Sequence, residues 1–188
     1  ACGTDAKYSG RWVTYAEAVE AMKKFPGRAA GVGFKIPGGY FFLDVDDKIL
    51  EDPYVQMLIR RFASYAEISV SGNGTHIYGK YDLSQIPTYI KKEIDKKTGE
   101  VKERLCLDRQ FYMKNPHNKT ELYLGGVTNR FAAYTGNAVN DEPMKECTQA
   151  ILTTLDKDMR RKQRKKYSAK RDGDEDIFRI IEALRGQK

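Results

Sequence analysis

Apolar residues recur at every second position in several short runs and at helical spacing in others, so strands and helices are both expected. Val32, Phe34 and Ile36 alternate with Gly33 and Lys35, predicting a strand that Pro37-Gly38-Gly39 turns into a second, hairpin-paired one. In that second strand, Tyr40-Phe41-Phe42-Leu43-Asp44-Val45-Asp46, the pleat puts Phe41, Leu43 and Val45 on one face and Asp44 and Asp46 on the other. Residues 67–70 and 75–81 read as two more strands around a Ser71-Gly72-Asn73-Gly74 turn, with His76, Tyr78 and Lys80 on a shared face. Glu121-Leu122-Tyr123-Leu124 and Arg130-Phe131-Ala132-Ala133-Tyr134 are the last strand candidates.

Helix signals lie between these runs. Thr14 with Glu17 three residues on is a capping box, and Ala18, Ala21, Met22 and Phe25 mark one face of a helix that Pro26-Gly27 stops. Asp52-Pro53 opens a helix carrying Val55, Leu58, Phe62 and Tyr65 on its core face. Pro143 reads as the start of a third, with Met144, Cys147, Ile151 and Leu155 aligned; Ile177, Ile180, Ile181 and Leu184 mark a fourth that stops at Gly186. Residues 82–120 read as an elaboration, with a hairpin tip at Lys96-Lys97-Thr98-Gly99-Glu100 and an exposed loop at Asn115-Pro116-His117-Asn118. The predicted class is α+β with antiparallel strands and no βαβ winding. A core over residues 1–142 and a helical C-terminal extension over 143–188 are expected.

A chain of 188 residues, 40% hydrophobic and 31% charged, is long enough for one sizeable core. No stretch approaches the roughly 20 apolar residues of a membrane span, and no signal peptide is visible, so no membrane partner is expected. Cys2, Cys106 and Cys147 are an odd count without CxxC spacing, which suits a reducing, cytoplasmic setting. A zinc site from Cys106, His117 and Cys147 would lack closely spaced ligand pairs. The net charge of +7 is local: residues 157–171 hold nine basic residues and one acid, while the remaining 24 basic and 25 acidic residues nearly cancel. Arg160, Arg161, Lys162, Arg164, Lys165 and Lys166 in this block suit a polyphosphate backbone or another anionic surface, although a solvated helix end explains them equally well.

Candidate chemistry gathers at strand ends and turns. Asp44 and Asp46 stand side by side and repel unless a cation or water relieves them, and hard oxygen donors of this kind favour magnesium or manganese. A polar strand end, with Asp46-Asp47 capping a turn, is the plainer reading. In Ser71-Gly72-Asn73-Gly74-Thr75-His76 the glycines admit close approach, successive amides make a nest for phosphate oxygens, and Ser71, Thr75 and His76 add donors. An ordinary hairpin turn before a partly buried histidine is the alternative. Glu121 faces away from a core side made by Leu122 and Leu124 and supplies a third carboxylate; Arg130 can reach a triphosphate or sugar.

In combination and in this order the motifs resemble the archaeo-eukaryotic primase superfamily, in particular the primase–polymerases of phages and mobile plasmids. Phe42-Leu43-Asp44-Val45-Asp46 matches the family's hhhDhD motif, and Ser71-Gly72-Asn73-Gly74-Thr75-His76 its SxH-type motif. Glu121 corresponds best to the third acid, and Arg130-Phe131-Ala132-Ala133-Tyr134-Thr135-Gly136 is similar to the RFxxxTG segment that follows it. Trp12, the helix after it and Gly31-Val32-Gly33-Phe34 are similar to the family's lead-in, so the resemblance covers residues 4–140. The stretch between His76 and Glu121 is longer than the family's, which leaves Asp108 as another third acid.

The resemblance implies an RRM-like antiparallel sheet beside an αβ unit and template-directed nucleotide addition. Asp44, Asp46 and Glu121 would hold two Mg²⁺ or Mn²⁺ ions; Ser71, the amides of Gly72, Asn73, Gly74 and Thr75, and His76 would grip the triphosphate of a dNTP or NTP. Arg130 would support the phosphates or sugar, with Lys80 a lesser candidate. Single-stranded template and primer would lie across the sheet, and a replicative helicase on the same or another chain is a further implied partner. The chain opens Ala1-Cys2-Gly3 without methionine, and residues 174–184 look like the start of a helical primase accessory region. A catalytic part of a larger replication protein is therefore expected. Two readings stay beside this one: a metal-dependent nuclease, which needs no triphosphate, and a non-catalytic replication initiator binding origin DNA through its basic helix.

Overall fold

A computed structural model describes residues 6–27, 31–48, 50–95 and 98–162. In chain order the elements are α1 (Tyr15–Lys24), β1 (Val32–Lys35), β2 (Tyr40–Val45), α2 (Pro53–Phe62), β3 (Ala66–Ile68) and β4 (Thr75–Lys80). There follow β5 (Thr88–Ile94), β6 (Val101–Leu107), β7 (Lys114–Asn115), β8 (Thr120–Leu124), β9 (Phe131–Tyr134) and α3 (Thr148–Lys157). The class is α+β, with antiparallel sheets throughout.

β2 is apolar on both faces, and such a strand must be central. Phe41, Leu43 and Val45 face one side, at most 1% exposed, while Phe42 faces the other at 5%. β4 pairs along one edge of β2 and β8 along the other, with β3 and β7 outside them, giving the order β3-β4-β2-β8-β7. Val55, Leu58 and Phe62 of α2 and Ile151 and Leu155 of α3 cover the first face, each side chain stabilising the fold by about 1.5–3 kcal/mol relative to exposure. Asp52 caps α2 by accepting from the Tyr54 N–H at 2.7 Å, with Pro53 at the first turn. α3 and Met159 thus share the core of the sheet rather than forming one of their own.

On the second face Phe42 stacks between Tyr78 and Tyr123, with ring centroids 5.0 and 5.8 Å away. A two-stranded ribbon of β1 and β9 lies over this aromatic row through Phe34, Ile36 and Ala132, and the Tyr78 hydroxyl donates to the Ala133 carbonyl. The hairpin of β5 and β6 stands apart as its own two-stranded sheet. No helix among the described residues is long and apolar enough to cross a membrane.

Two local expectations are corrected, and a third is refined. β1 does not form a hairpin with β2; it pairs with β9, Val32 opposite Tyr134 through Lys35 opposite Phe131. Between β1 and the turn, the chain at Ile36 and Pro37 crosses closely over Gly125. The third helix starts at Thr148, not Pro143, because the preceding residues run extended beside β4: the Lys80 N–H donates to the Lys145 carbonyl and the Cys147 N–H to the Lys80 carbonyl. The Asn115-to-Asn118 loop is exposed at Pro116 and His117 as expected but anchored at its ends, where both asparagine side-chain amides donate to the Asp158 carbonyl, at 2.7 and 3.0 Å. Residues 174–184 lie outside the described residues.

A Cβ added at Gly125 would stand 1.8 Å from the Pro37 carbonyl oxygen, an overlap of backbone with backbone that no rotamer relieves. Gly125→Ala is expected to lower the unfolding free energy by about 1–3 kcal/mol or more, read as a lower urea midpoint at unchanged slope. A wild-type midpoint would show that the crossing is looser than this.

Candidate functional site

Strand register builds one polar row across the five-stranded sheet. Asp44 on β2 lies opposite His76 on β4 and opposite Glu121 on β8; His76 in turn lies opposite Glu67 on β3, and Glu121 opposite Lys114 on β7. Read across the strands, the row is Glu67, His76, Asp44, Glu121, Lys114. It stands on the same face as the Phe42 row, one pleat further along each strand, and the Phe42 and His76 rings meet edge to face at 4.9 Å.

Glu67 anchors one end. It is fully buried, yet its carboxylate accepts from the Tyr65 hydroxyl at 3.0 Å, the Tyr78 hydroxyl at 3.1 Å and the N–H groups of Thr135 and Gly136 at 3.1 and 3.0 Å. His76 Nδ1 lies 3.1 Å from the same carboxylate. Burial pushes the Glu67 carboxyl up, but the bonds from His76, Thr135 and Gly136 more than offset this and hold it below the usual range. With Nδ1 engaged, Nε2 of His76 faces Asp44 Oδ1 at 3.6 Å, beyond hydrogen-bond reach.

Asp44 is the uncompensated member. Its Oδ1 is buried without a hydrogen-bond partner. Burial, above all, pushes its carboxyl up to about 6; His76 works against this, while Asp46 and Glu121 add to it. Glu121 is better served: Lys114 Nζ donates to its two oxygens at 2.6 and 2.5 Å, and the Tyr123 hydroxyl donates to one of them. Asp46, exposed just past the end of β2, lines with Asp47, Lys114, Lys119 and Glu121 a cleft of 470 Å³. Asp108 is remote from Asp44 in the pairing pattern, in the turn after β6, where it accepts from the Gln110 N–H.

The glycine turn sits beyond the Glu67 end of the row. Gly72 takes a left-handed φ of 79°, and a Cβ on Gly74 would meet the Val45 carbonyl at 2.7 Å, so the turn must be bare to close against β2. Ser71, Gly72 and Asn73 are exposed, and the Ser71 hydroxyl accepts from the Asn73 N–H. Ser69, Ser71 and Gly72, with Thr135, Gly136 and Lys23 among others, border a cleft of 880 Å³. Thr75 is separated from these groups. It pairs with Val45, so its side chain takes the helix-covered face opposite His76, where the hydroxyl is buried without a partner.

Of the remaining expected residues, Arg130 is exposed with its guanidinium 5.9 Å from the Tyr123 ring centre, beside the Glu121 end of the row. Lys80 is four residues from His76, about 13 Å along the strand, and lies over Tyr40 instead. Arg160 bonds Asp156 and Gln110, and Arg161 donates to the Phe111 carbonyl while covering the Tyr112 ring. Lys162 is exposed; Arg164, Lys165 and Lys166 lie outside the described residues. Cys106 and Cys147 are free thiols, the latter buried.

Sequence reasoning missed Glu67 and Lys114. An acid inside the run Tyr65-Ala66-Glu67-Ile68 was the available signal for the first; Lys114, on a two-residue strand, carries none. Among the described residues, no group of three or more His, Cys, Asp or Glu side chains converges tightly enough to hold an ion. Glu121 is turned to Lys114. The donor chemistry nevertheless fits a hard divalent cation, because the orphaned Asp44 oxygen lies among like charges that such an ion would relieve. No family model matches the chain, and no curated protein matches it.

The Asp44 shift has a defined cost. Below pH 3.8 the carboxyl is protonated in folded and unfolded chains alike; as pH rises towards 6 the unfolded chain ionises first, so stability falls, and above 6 the deficit is constant. At about 1.4 kcal/mol per unit the deficit is on the order of 3 kcal/mol. Asp44→Asn is therefore expected to raise the melting temperature near neutral pH without divalent ions, and to change it much less near pH 4. Calorimetry at the two pH values checks this; a variant melting below wild type at neutral pH would show that Asp44 is not strained.

Proposed function

We propose that the chain is the catalytic region of a primase–polymerase of the archaeo-eukaryotic primase type, which adds nucleotides from dNTPs or NTPs to a primer along a single-stranded DNA template. The observation that carries the reading is the single cross-strand row holding His76, Asp44 and Glu121, three residues from three separate motifs. A folding constraint alone would favour an apolar row at the centre of a sheet, not adjacent acids.

In this reading Asp44, Asp46 and Glu121 hold the divalent ions, magnesium or manganese. Such ions, when bound, neutralise the triphosphate and acidify the attacking 3′-hydroxyl. The protein's own groups do the rest. Glu67 orients His76, leaving Nε2 free to donate to a phosphate oxygen above the row. The Ser71 hydroxyl and the exposed turn of Gly72 and Asn73 border the 880 Å³ cleft where the triphosphate tail fits. Arg130, above Tyr123, meets the phosphates or sugar from the other side. Lys114, an exposed cation paired with Glu121, would be released to meet a phosphate oxygen if Glu121 held an ion. Because the β1–β9 ribbon covers the aromatic half of the face, template and primer approach along the acidic half. The attacking oxygen forms its bond to the α-phosphorus as pyrophosphate leaves in line.

The test is extension of a labelled primer on a single-stranded template with each metal and nucleotide type, run also without primer. Asp44→Ala and Asp46→Ala, folded by circular dichroism, should lose activity by roughly 10²–10³-fold. Either retaining wild-type extension would sink the reading, and template cleavage in the absence of nucleotides would favour the nuclease. Independently of activity, Mg²⁺ or Mn²⁺ should raise the melting temperature of the wild type but not of Asp44→Asn.

A further inference from the structure

The hairpin of β5 and β6 has two unlike faces. Ile90, Ile94 and Val101 lie on one; Tyr89, Lys91, Cys106 and Arg104 lie on the other, where Lys91 stands directly opposite Arg104 in the ladder. Like charges in directly opposed positions weaken a hairpin. That face forms one wall of a cleft of 460 Å³ at the hairpin's root, whose lining includes four basic side chains, Lys91, Arg104, Arg109 and Arg161, the aromatic rings of Tyr89 and Phe111 and, among the described residues, no acid.

We propose that this cleft is a second nucleic-acid contact, which holds the backbone of the single-stranded template DNA beside the polar row. Three observations carry it. The cations converge on one cavity instead of being spread over a solvated face, which suits a chain of phosphates. The Arg109 guanidinium lies 4.9 Å from the ring centre of the half-buried Tyr89, so a planar cation and an aromatic ring stand ready for a base to stack on. Met113 also lines the cleft, packs against the aromatic cluster under the polar row and precedes Lys114, the last member of that row. A strand leaving the row past Lys114 therefore enters the cleft. Arg161 brings one residue of the basic segment into the same cavity, fixed there by its bond to the Phe111 carbonyl at 3.0 Å. Lys91 pairs with Glu93, an exposed pair that a phosphate can replace at little cost.

The identity of the strand rests on the polymerase reading; the contact itself does not. It is tested by fluorescence anisotropy of a labelled oligodeoxythymidine, with a chelator present and no nucleotide. The triple variant Lys91→Ala, Arg104→Ala, Arg109→Ala should bind at least about tenfold more weakly, and its dependence of log Kd on log salt should flatten by roughly two units, at about 0.7 per lost phosphate contact. Because the Lys91–Glu93 pair that is lost is exposed, the melting temperature should stay close to wild type, which checks that the variant is folded. A second measurement needs no variant: saturating oligonucleotide should slow alkylation of Cys106, which lines the cleft, read by peptide mass spectrometry. Unchanged affinity and salt slope in the triple variant, or unchanged Cys106 alkylation in the wild type, would overturn the proposal. Oligonucleotide held in the cleft by a protein that extends no primer would count against the polymerase reading alone.

Discussion

The register of β2 against its two neighbours is the constraint on which the rest depends. A slip by one residue on either side would move the whole apolar set of that strand from the core face to the other. Phe41, Leu43 and Val45 are too deeply buried to allow it, and Leu122, Leu124 and Ile77 face the same core from β8 and β4. The same pairing that seals the core therefore aligns Asp44 with His76 and Glu121. Nothing in the acids themselves holds them together. They are brought into line against their own repulsion by hydrophobic burial on the opposite face.

The two ends of the polar row show different solutions to burying charge. Glu67 is fully enclosed but saturated, with hydroxyl, imidazole and backbone partners from β3, β4 and the loop after β9. It fastens that loop to the histidine, and removing it would take the acceptor from the N–H groups of Thr135 and Gly136. Asp44 has no such set of partners, and its carboxyl is pushed up accordingly. The two acids are thus buried on opposite terms, and under the proposed function a divalent ion would relieve the second.

Local chemistry was legible in the sequence, and the partners across space were not. Period-two alternation placed Asp44 and Asp46 opposite Phe41 and Leu43, and the capping box at Thr14 and the Asp52-Pro53 start are where the chain said they were. Glu67 could not be ranked, because what distinguishes it are contacts to Thr135 and Gly136, 68 and 69 positions away. Likewise Val32, Phe34 and Ile36 do form a strand, but its partner was decided by the crossing of Pro37 over Gly125 rather than by the turn that follows it. The motif alone puts Thr75 among the phosphate-facing groups, whereas the pleat that places His76 in the row necessarily turns its neighbour to the other face. Cys147, Ile151 and Leu155 do point into the core, but the turn before them was taken by backbone bonds to β4.

The layout of charge around the sheet imposes an order on binding. Acids occupy the middle of the row, and the cations nearest them, Lys114 and Arg130, sit at its Glu121 end. A polyanion approaching the bare row meets net repulsion from Asp44 and Asp46, so at the row itself it can be held only together with cations that cancel them. The basic cleft beyond Lys114 carries no such penalty, since no acid among the described residues lines it. Under the proposed function, a nucleic-acid strand would be held there without divalent ions, while binding of the reacting phosphates at the row would depend on them. On that proposal, separating the two sites by sign of charge would let one stretch of template stay bound while the ions and triphosphate are exchanged, with Met113, which lines the cleft, joined directly to Lys114 of the row.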